Sequence, residues 1–252
     1  MRPAGSRTVL LLGGSTEAKA VALWLAARPE IRLVTSLAGV TRAPGPLPGD
    51  LRIGGFGGAM GLRRWLEAHA VEVVVDATHP FAVRIARNAR RAAHVARLPH
   101  LKVWRPAWTA KPGDRWHEVA DIEAAEAAAR KLGRRPFVAL GRGGAIRFAT
   151  RGFDQVVFRT IEPPPDVLPP RVRLVTGRGP FDVAAERRLF EDDAIDVLVT
   201  KNAGGSAGHA KLEAARGLGL PVVMIRRPPP PPPPLARDPD EARAWLAARL
   251  GG

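Results

Sequence analysis

The stretch that decides the fold is residues 9–18, VLLLGGSTEA. Its continuous apolar run predicts a short strand, which stops at Gly13 and Gly14. Ser15 and Thr16 then open a helical pattern. Glycines in such a turn let the backbone approach a pyrophosphate, and the following helix N-terminus favours negative charge. The stretch predicts the start of a dinucleotide-binding domain, with a glycine turn and a helix cap as the structural alternative.

The alternation of apolar runs and helical patterns continues along the chain. Further strands are predicted at residues 31–36, 52–53, 71–77, 101–105, 136–140, 156–159, 172–175, 195–200 and 221–225. Helices are predicted at residues 62–69, 122–132, 181–190, 209–218 and 240–250, with a long one that follows strand 71–77 and ends near residue 97. Strands that alternate with helices build parallel sheets with right-handed crossovers. We therefore predict an α/β protein of two Rossmann-like lobes with parallel sheets and an active site in the cleft between them.

The predicted lobe boundary lies where Pro112 and Gly113 interrupt the pattern. Residues 1–112 are assigned to an N-terminal dinucleotide-binding lobe and residues 113–252 to a C-terminal substrate-binding lobe. An unbroken proline run at residues 228–234 is predicted to be a stiff polyproline II spacer before the last helix.

The composition limits the classes of protein that fit. The chain has no cysteine, and no apolar run approaches the about 20 residues that cross a bilayer. We expect a soluble, cytoplasmic protein with no membrane partner. The formal charge of +15 suits nucleic acid or a polyanionic small molecule, although scattered arginines and the absence of tyrosine weigh against nucleic acid. The arginine usage of a GC-rich genome explains the charge equally well.

The segment after the second predicted strand bears on the choice of dinucleotide. A NAD-specific site usually has a carboxylate there for the ribose 2′-hydroxyl. This chain has Thr41 and Arg42 instead, and no carboxylate before Asp50. A hydroxyl and a guanidinium suit a 2′-phosphate, which favours NADP; a solvated loop arginine is the alternative.

The clearest predicted strand, residues 71–77, ends in the turn Thr78-His79-Pro80. Ligands of open α/β sheets bind at the carboxyl edge of the strands, where a histidine can hydrogen-bond a cofactor or take part in acid–base chemistry. The structural alternative is a capping turn, with Thr78 as the cap and Pro80 in the first helical turn. We expect both, so that the turn holds His79 at the ligand-binding edge.

Three loops of the predicted second lobe are cationic and rich in glycine. Their notable residues are Arg142, Arg178, Lys201, Asn202, Gly204, Gly205 and, in the helix beyond, Lys211. Such loops can form compact anion sites. Any one of them is more commonly a structural turn, but together they suggest a polycarboxylate substrate facing the dinucleotide.

Six segments, in this order and spacing, point to a known family: LGGSTEA at residues 12–18, SLAG at 36–39, GGFGG at 54–58, DATHPFA at 76–82, RGPF at 178–181 and TKNAGG at 200–205. On these segments the chain resembles the precorrin-6A reductase family of cobalamin biosynthesis over nearly its whole length. The family often has arginine where Val40 stands and serine where Ala203 stands; Arg42 lies two residues beyond Val40.

The resemblance implies an NADPH-dependent oxidoreductase of cobalamin (corrin) biosynthesis that reduces a double bond of precorrin-6A to give precorrin-6B. This acidic, tetrapyrrole-derived small molecule carries many carboxylates, which gives the charge of +15 a purpose. The alternatives are another NADP-dependent reductase on the same fold, and a non-enzymatic nucleotide- or nucleic-acid-binding regulator. Whether the substrate carries cobalt stays open at this point.

The motifs and the resemblance together define the expected site residues. The cofactor NADPH is expected to contact Gly13, Gly14, Ser15, Thr16, Glu17, Ser36, Arg42, Gly55, Thr78 and His79. The substrate is expected to contact Arg142, Arg178, Lys201, Asn202, Gly204, Gly205 and Lys211. Lys201 and His79 are the candidate catalytic proton donors, with water as the alternative, and no metal is expected.

Overall fold

The computed structural model describes residues 6–39, 47–141, 147–149, 152–163 and 167–251. The chain divides into two compact units, Met1–Pro106 with Pro228–Gly252 and Ala107–Arg227. Each unit contains one six-stranded sheet in which neighbouring strands run parallel. The prediction of an α/β protein with two parallel sheets is confirmed. Within the described ranges, no helix is long and apolar enough to cross a membrane.

The first unit begins with the predicted strand, turn and helix. Its elements are β1 (Arg7–Leu12), α1 (Thr16–Ala26), β2 (Ile31–Leu37), β3 (Asp50–Ile53), α2 (Gly58–Ala68), β4 (Val71–Asp76), α3 (Val83–Val95), β5 (His100–Val103) and, near the C-terminus, β12 (Leu235–Ala236) and α7 (Pro239–Leu250). The strand order is β12-β5-β4-β1-β2-β3. This is the order of dinucleotide-binding sheets, whose ligands bind at the carboxyl ends of the strands where the order reverses, here between β1 and β4.

Strand β1 is buried on both faces of the sheet, which accounts for its continuous apolar run. Val9 and Leu11 pack with α1 and α7 in one core cluster, while Leu10 and Leu12 pack with α2 and α3 in another. None of the four side chains is more than 2% exposed. The two layers therefore hold the carboxyl end of β1, where the glycine turn begins.

The second unit repeats this architecture. Its elements are β6 (Arg115–Val119), α4 (Ile122–Leu132), β7 (Pro136–Ala139), β8 (Val156–Thr160), β9 (Val172–Thr176), α5 (Val183–Asp192), β10 (Val197–Lys201), α6 (Ala210–Gly217) and β11 (Pro221–Ile225). The strand order is β6-β11-β10-β7-β8-β9, so the reversal lies between β7 and β10. Phe137, Phe190 and Leu198 are among the buried side chains of its core.

The C-terminal segment belongs to the first unit, which corrects the predicted assignment of residues 113–252 to one lobe. Leu235 and Ala236 pair with Lys102 and Val103 of β5, and α7 covers the same core cluster as α1. The proline run at residues 228–234 thus precedes a strand of the first sheet. The first division of the chain falls after Pro106 rather than after residue 112.

Two strands, β6 and β12, were not predicted from the sequence. Strand β6 lies at an edge of its sheet and none of its residues is fully buried, so it needs no continuous apolar run. Strand β12 has two residues and follows prolines, which leaves no periodicity to detect. Both strands are held by pairing with segments that are distant in the sequence.

Candidate functional site

Three strand-end segments of the first sheet are joined by hydrogen bonds. The Gly13 N–H donates to the Ser36 carbonyl, at 2.9 Å between nitrogen and oxygen, and the Ala77 N–H donates to the Leu12 carbonyl at 2.9 Å. The Ser15 hydroxyl donates to the Ala77 carbonyl at 2.9 Å. The fold therefore brings the glycine turn after β1, Ser36 near the end of β2 and the segment after β4 to one edge of the sheet.

The glycine turn has the conformation and the space that a pyrophosphate needs. Gly14 has φ of +112°, and a Cβ built there meets no atom within 4 Å. Gly13 faces inward, where a Cβ would meet Thr35, Leu37 and Ala18 at ordinary contact distances. The first-turn N–H groups of α1, where Thr16 lies, can donate to an anion because a helix leaves them without intrahelical acceptors. These residues fit a bound dinucleotide.

Ser15 and Glu17 also have structural partners. The Ser15 hydroxyl caps α1 by accepting a hydrogen bond from the Ala18 N–H at 3.0 Å, and it donates its own hydrogen bond to the Ala77 carbonyl. The Glu17 carboxylate forms an ion pair with Arg105, which follows β5, at 2.7 Å. That pairing neutralises a carboxylate beside the turn. Contact of either side chain with the cofactor stays a prediction.

Thr78 does not cap α3, which corrects the predicted role. Helix α3 begins at Val83, its N-cap is Ala82, and no side chain caps it. The Thr78 N–H and hydroxyl both donate to Asp76 Oδ1, at 2.9 and 2.6 Å. Lys102 Nζ donates to the same oxygen at 2.9 Å and to the Thr78 carbonyl at 2.9 Å. The turn after β4 is thus held by a buried Asp76–Lys102 pair that sequence reasoning missed.

His79 is exposed in this turn. Its Nδ1 accepts a hydrogen bond from the Phe81 N–H at 3.2 Å. The neutral imidazole therefore carries its proton on Nε2, the nitrogen through which it can donate. This geometry is compatible with the predicted contact to cofactor or substrate.

An unpredicted arginine lies beside Ser36 at the end of the neighbouring strand. Ser36 and Arg52 are register partners in β2 and β3, and one guanidinium nitrogen of Arg52 lies 3.4 Å from Ser36 Oγ. The same guanidinium donates to the carbonyls of Gly54 and Gly55. Burial lowers the pKa of Arg52. The predicted cofactor residue Arg42 lies outside the described residues.

In the second unit, Lys201 ends β10 at the reversal of strand order. Its Nζ donates to the Leu140 carbonyl, beyond the end of β7, at 3.0 Å. Burial lowers the pKa of this amine. The next predicted residue, Asn202, is 6% exposed and bonded to Trp108 at both ends of its amide: Oδ1 accepts from the Trp108 N–H at 2.8 Å, and Nδ2 donates to the Trp108 carbonyl at 2.9 Å.

Trp108 contacts several predicted substrate residues, although the sequence-based boundary assigns it to the N-terminal lobe, residues 1–112. Its indole N–H donates to the Gly205 carbonyl at 2.8 Å, and Lys211 Nζ lies 5.0 Å from its ring centroid. Gly204 and Gly205 both have positive φ, +67° and +74°, in the loop that meets this indole. The only sequence signal for this role was an isolated aromatic residue.

Lys211 is held beside an acidic and a basic side chain. Its Nζ donates to the Gly208 carbonyl at 2.6 Å. Desolvation lowers the pKa of Lys211 to about 8, with Glu186 opposing the shift and Arg159 adding to it. Glu186 forms a buried ion pair with Arg159. The amine therefore changes charge around pH 8 rather than near pH 10.5.

Arg178 and Arg142 are the two other cations that were predicted to bind the substrate. Arg178 follows β9, and the neighbouring Gly179 lies so close to the loop after β10 that a Cβ there would be 2.6 Å from the Ala207 carbonyl. Arg142 lies outside the described residues. Within the described part of the chain, no group of three or more His, Asp or Glu residues could hold a metal ion.

These features define an α/β protein with one sheet of dinucleotide-binding strand order and a second parallel sheet whose strand-end loops are cationic. The chain belongs to the precorrin-6x reductase CbiJ/CobK family, whose family model matches residues 8–247. The resemblance stated from the six segments is thereby confirmed.

Individual relatives agree with the family assignment. The chain is 49% identical over 219 residues to the precorrin-6A reductase of Rhodococcus erythropolis, covering 87% of this chain and 88% of that protein. It matches the solved structure of CobK precorrin-6A reductase with a TM-score of 0.89 at 40% identity, covering 96% of each chain. A cobalt-precorrin-6A reductase of Synechocystis sp. is 27% identical over 234 residues, covering 87% of this chain and 88% of that protein.

Proposed function

We propose that this protein reduces one double bond of precorrin-6A to give precorrin-6B in cobalamin biosynthesis, with NADPH as the hydride donor. Membership of the precorrin-6x reductase family supports the reaction. The structural observation that carries the proposal is the open glycine turn at Gly14, at the reversal point of a sheet with dinucleotide-binding strand order.

The substrate is the cobalt-free precorrin. Identity to the Rhodococcus precorrin-6A reductase is 49%, whereas identity to the Synechocystis cobalt-precorrin-6A reductase is 27%, at the same coverage of this chain. A difference of this size favours the form without the metal.

The first unit binds the cofactor. NADPH, when bound, supplies the hydride. The turn of Gly13 and Gly14 and the N-terminus of α1 receive the pyrophosphate, because backbone N–H groups and the helix dipole attract it. Ser36, Gly55, Thr78 and His79 lie in the strand-end segments of the same sheet. Their task is to hold the dinucleotide in one orientation at that edge.

The second unit binds the carboxylates of the substrate. Lys201, Lys211 and Arg178 supply positive charge, and Gly204 and Gly205 supply backbone close to Trp108. Reduction adds one hydride and one proton, so a proton must reach the macrocycle. Lys201 and His79 are the candidate donors; of the two, Lys201 has a pKa lowered by burial, which makes its proton easier to transfer.

The proposal is tested in two steps. Calorimetry compares the binding of NADPH, NADH and ATP to the whole protein, and selective NADPH binding is expected. NADPH oxidation is then followed with precorrin-6A and with cobalt-precorrin-6A, and a product with two added hydrogens is expected from the former. Equal binding of the three nucleotides, or no NADPH oxidation with either macrocycle, would contradict the proposal.

Lys201→Met and His79→Gln separate the two candidate donors. If one variant still binds the substrate but no longer forms the protonated product, the replaced residue is the proton donor. Full turnover in both variants would assign protonation to water.

A further inference from the structure

We infer that Arg52 binds the 2′-phosphate of NADPH and thereby sets the preference for NADPH over NADH. The inference rests on the proposed function and extends it, because it names the residue that distinguishes two cofactors of the same chemistry. It assigns to the end of β3 a role that the sequence suggested for Arg42.

The position of Arg52 is the first argument. Leu12 of β1, Ser36 of β2 and Arg52 of β3 are successive register partners, so they form one row across the carboxyl edge of the sheet. The glycine turn begins one residue after Leu12. In dinucleotide-binding sheets the end of the second strand meets the ribose of the adenosine, the sugar that carries the 2′-phosphate. Arg52 stands on the next strand, about 5 Å further along this row.

The charge of Arg52 is the second argument. Its guanidinium donates to three neutral oxygens, those of Ser36, Gly54 and Gly55, at 3.4, 2.5 and 2.7 Å. No carboxylate in the described ranges forms an ion pair with it. The nearest acid along the strand, Asp50, is paired with Arg32 at 2.9 Å. Residues 31–49 contain no carboxylate that could bind the 2′-hydroxyl of NADH. A dianionic phosphomonoester therefore suits this edge better than a hydroxyl does.

The rigidity of Arg52 is the third argument. The guanidinium carbon lies over the Phe56 ring, 3.6 Å from its centroid, while two carbonyls of the following turn accept the N–H groups. A side chain that is already ordered loses little entropy when it binds a ligand. The planar group has five N–H donors, and a phosphate matches their geometry better than it matches a lysine ammonium. The site is therefore prepared for a phosphate before the cofactor arrives.

The experiment uses the whole protein and four variants. Wild type, Arg52→Gln, Arg52→Lys, Arg42→Gln and Arg32→Gln are titrated with NADPH and NADH, and also with 2′,5′-ADP and 5′-AMP, which differ only in the 2′-phosphate. Arg32→Gln is the matched control, because Arg32 lies on the same pair of strands but binds Asp50. Thermal unfolding of each variant shows that the fold is retained.

We expect Arg52→Gln to weaken the binding of NADPH and 2′,5′-ADP by about 10- to 100-fold, the effect of losing charge-assisted hydrogen bonds, and to leave the binding of NADH and 5′-AMP unchanged. Arg52→Lys is expected to lie between, and Arg32→Gln to match wild type. If Arg52→Gln is too unstable to test, the comparison of Arg52→Lys with Arg32→Gln decides the question.

Two results would overturn the inference. One is an Arg52 variant that keeps the wild-type ratio of NADPH to NADH affinity, including one that loses both cofactors equally. The other is loss of the preference in Arg42→Gln alone. Either result leaves the reductase proposal standing, because that proposal is tested on wild type alone, by its selective binding of NADPH and its reduction of the macrocycle.

Discussion

Lys102 and Asp76 form an ion pair, with 2.9 Å between Nζ and Oδ1, in which the two side chains are 2% and 0% exposed. They are register partners on β5 and β4, beside the reversal of strand order. Since Thr78 donates to the same Asp76 oxygen and accepts from Lys102, the pair anchors the turn that carries His79. A buried pair of charges therefore holds the turn after β4 at the carboxyl edge of the first sheet.

Replacing Lys102 by Met is expected to destabilise the protein by about 3–5 kcal/mol, because the Asp76 carboxylate is left buried without its counter-charge. Urea unfolding of Lys102→Met, Asp76→Asn and the double variant measures the coupling between the two residues. The double variant should lose less stability than the sum of the single variants. Simple additivity would show that the two charges do not stabilise each other.

Gly14→Ala is expected to lower stability by about 1–3 kcal/mol, because φ of +112° is strained for any residue with a Cβ. It should also weaken the binding of NADPH, since the added methyl group points into the open space of the turn. Gly13→Ala is the matched control, because its Cβ would make only ordinary contacts. Denaturant unfolding and calorimetry measure the stability of both variants and their affinity for NADPH. Equal losses in the two variants would contradict the structural distinction between the two glycines.

Asn202→Ala is expected to cost about 1–3 kcal/mol, because the N–H and carbonyl of Trp108 both lose a buried partner. Asn202→Asp keeps the acceptor and removes the donor, so it separates the two hydrogen bonds. Denaturant unfolding gives the loss of stability, and the part of the tryptophan fluorescence that is lost on Trp108→Phe reports whether Trp108 moves. An Asn202→Ala protein as stable as wild type would rule out an anchoring role.

Lys211 predicts a particular dependence of stability on pH. Burial lowers its pKa from 10.5 to about 8, so between these values the folded protein has released a proton that the unfolded chain still holds. Stability rises with pH wherever the unfolded state binds more protons. The wild-type free energy of unfolding should therefore rise relative to that of Lys211→Met between about pH 8 and pH 10.5. A constant difference between the two proteins across this range would contradict the lowered pKa.

Removal of residues 235–252 deletes β12 and α7 and is expected to unfold the first unit. Leu246 and Leu250 of α7 belong to the same core cluster as Val9 and Leu11. Losing the burial of two leucines alone removes about 3–6 kcal/mol. Truncation after Leu250 is the control, because it leaves α7 intact. Circular dichroism and NADPH titration follow the outcome, and a shortened protein that still binds NADPH would contradict the assignment of this segment.

The local parts of the site were predictable from the sequence. The apolar run of β1, the glycines and the capping serine lie within ten consecutive residues, and their spacing defines a strand, a turn and a helix without help from the rest of the chain. The same holds for α4 and β11, whose observed ends are the predicted ones. Thr78 shows where local reasoning stops: a threonine before a helix suggests a cap, but a buried aspartate two residues earlier accepts both of its hydrogen bonds.

The sequence by itself determined the fold class, the strand-end loops and the family, because these depend on short-range periodicity and on motifs in a fixed order. Only the tertiary structure decided that the C-terminal strand completes the first sheet, and that Arg52 and Lys102 flank its carboxyl edge. These facts depend on register between strands, which backbone hydrogen bonds set between segments far apart in the chain. Strand β12 has only two residues, and their composition does not predict a strand. They form one because they pair with the otherwise unpaired edge of β5.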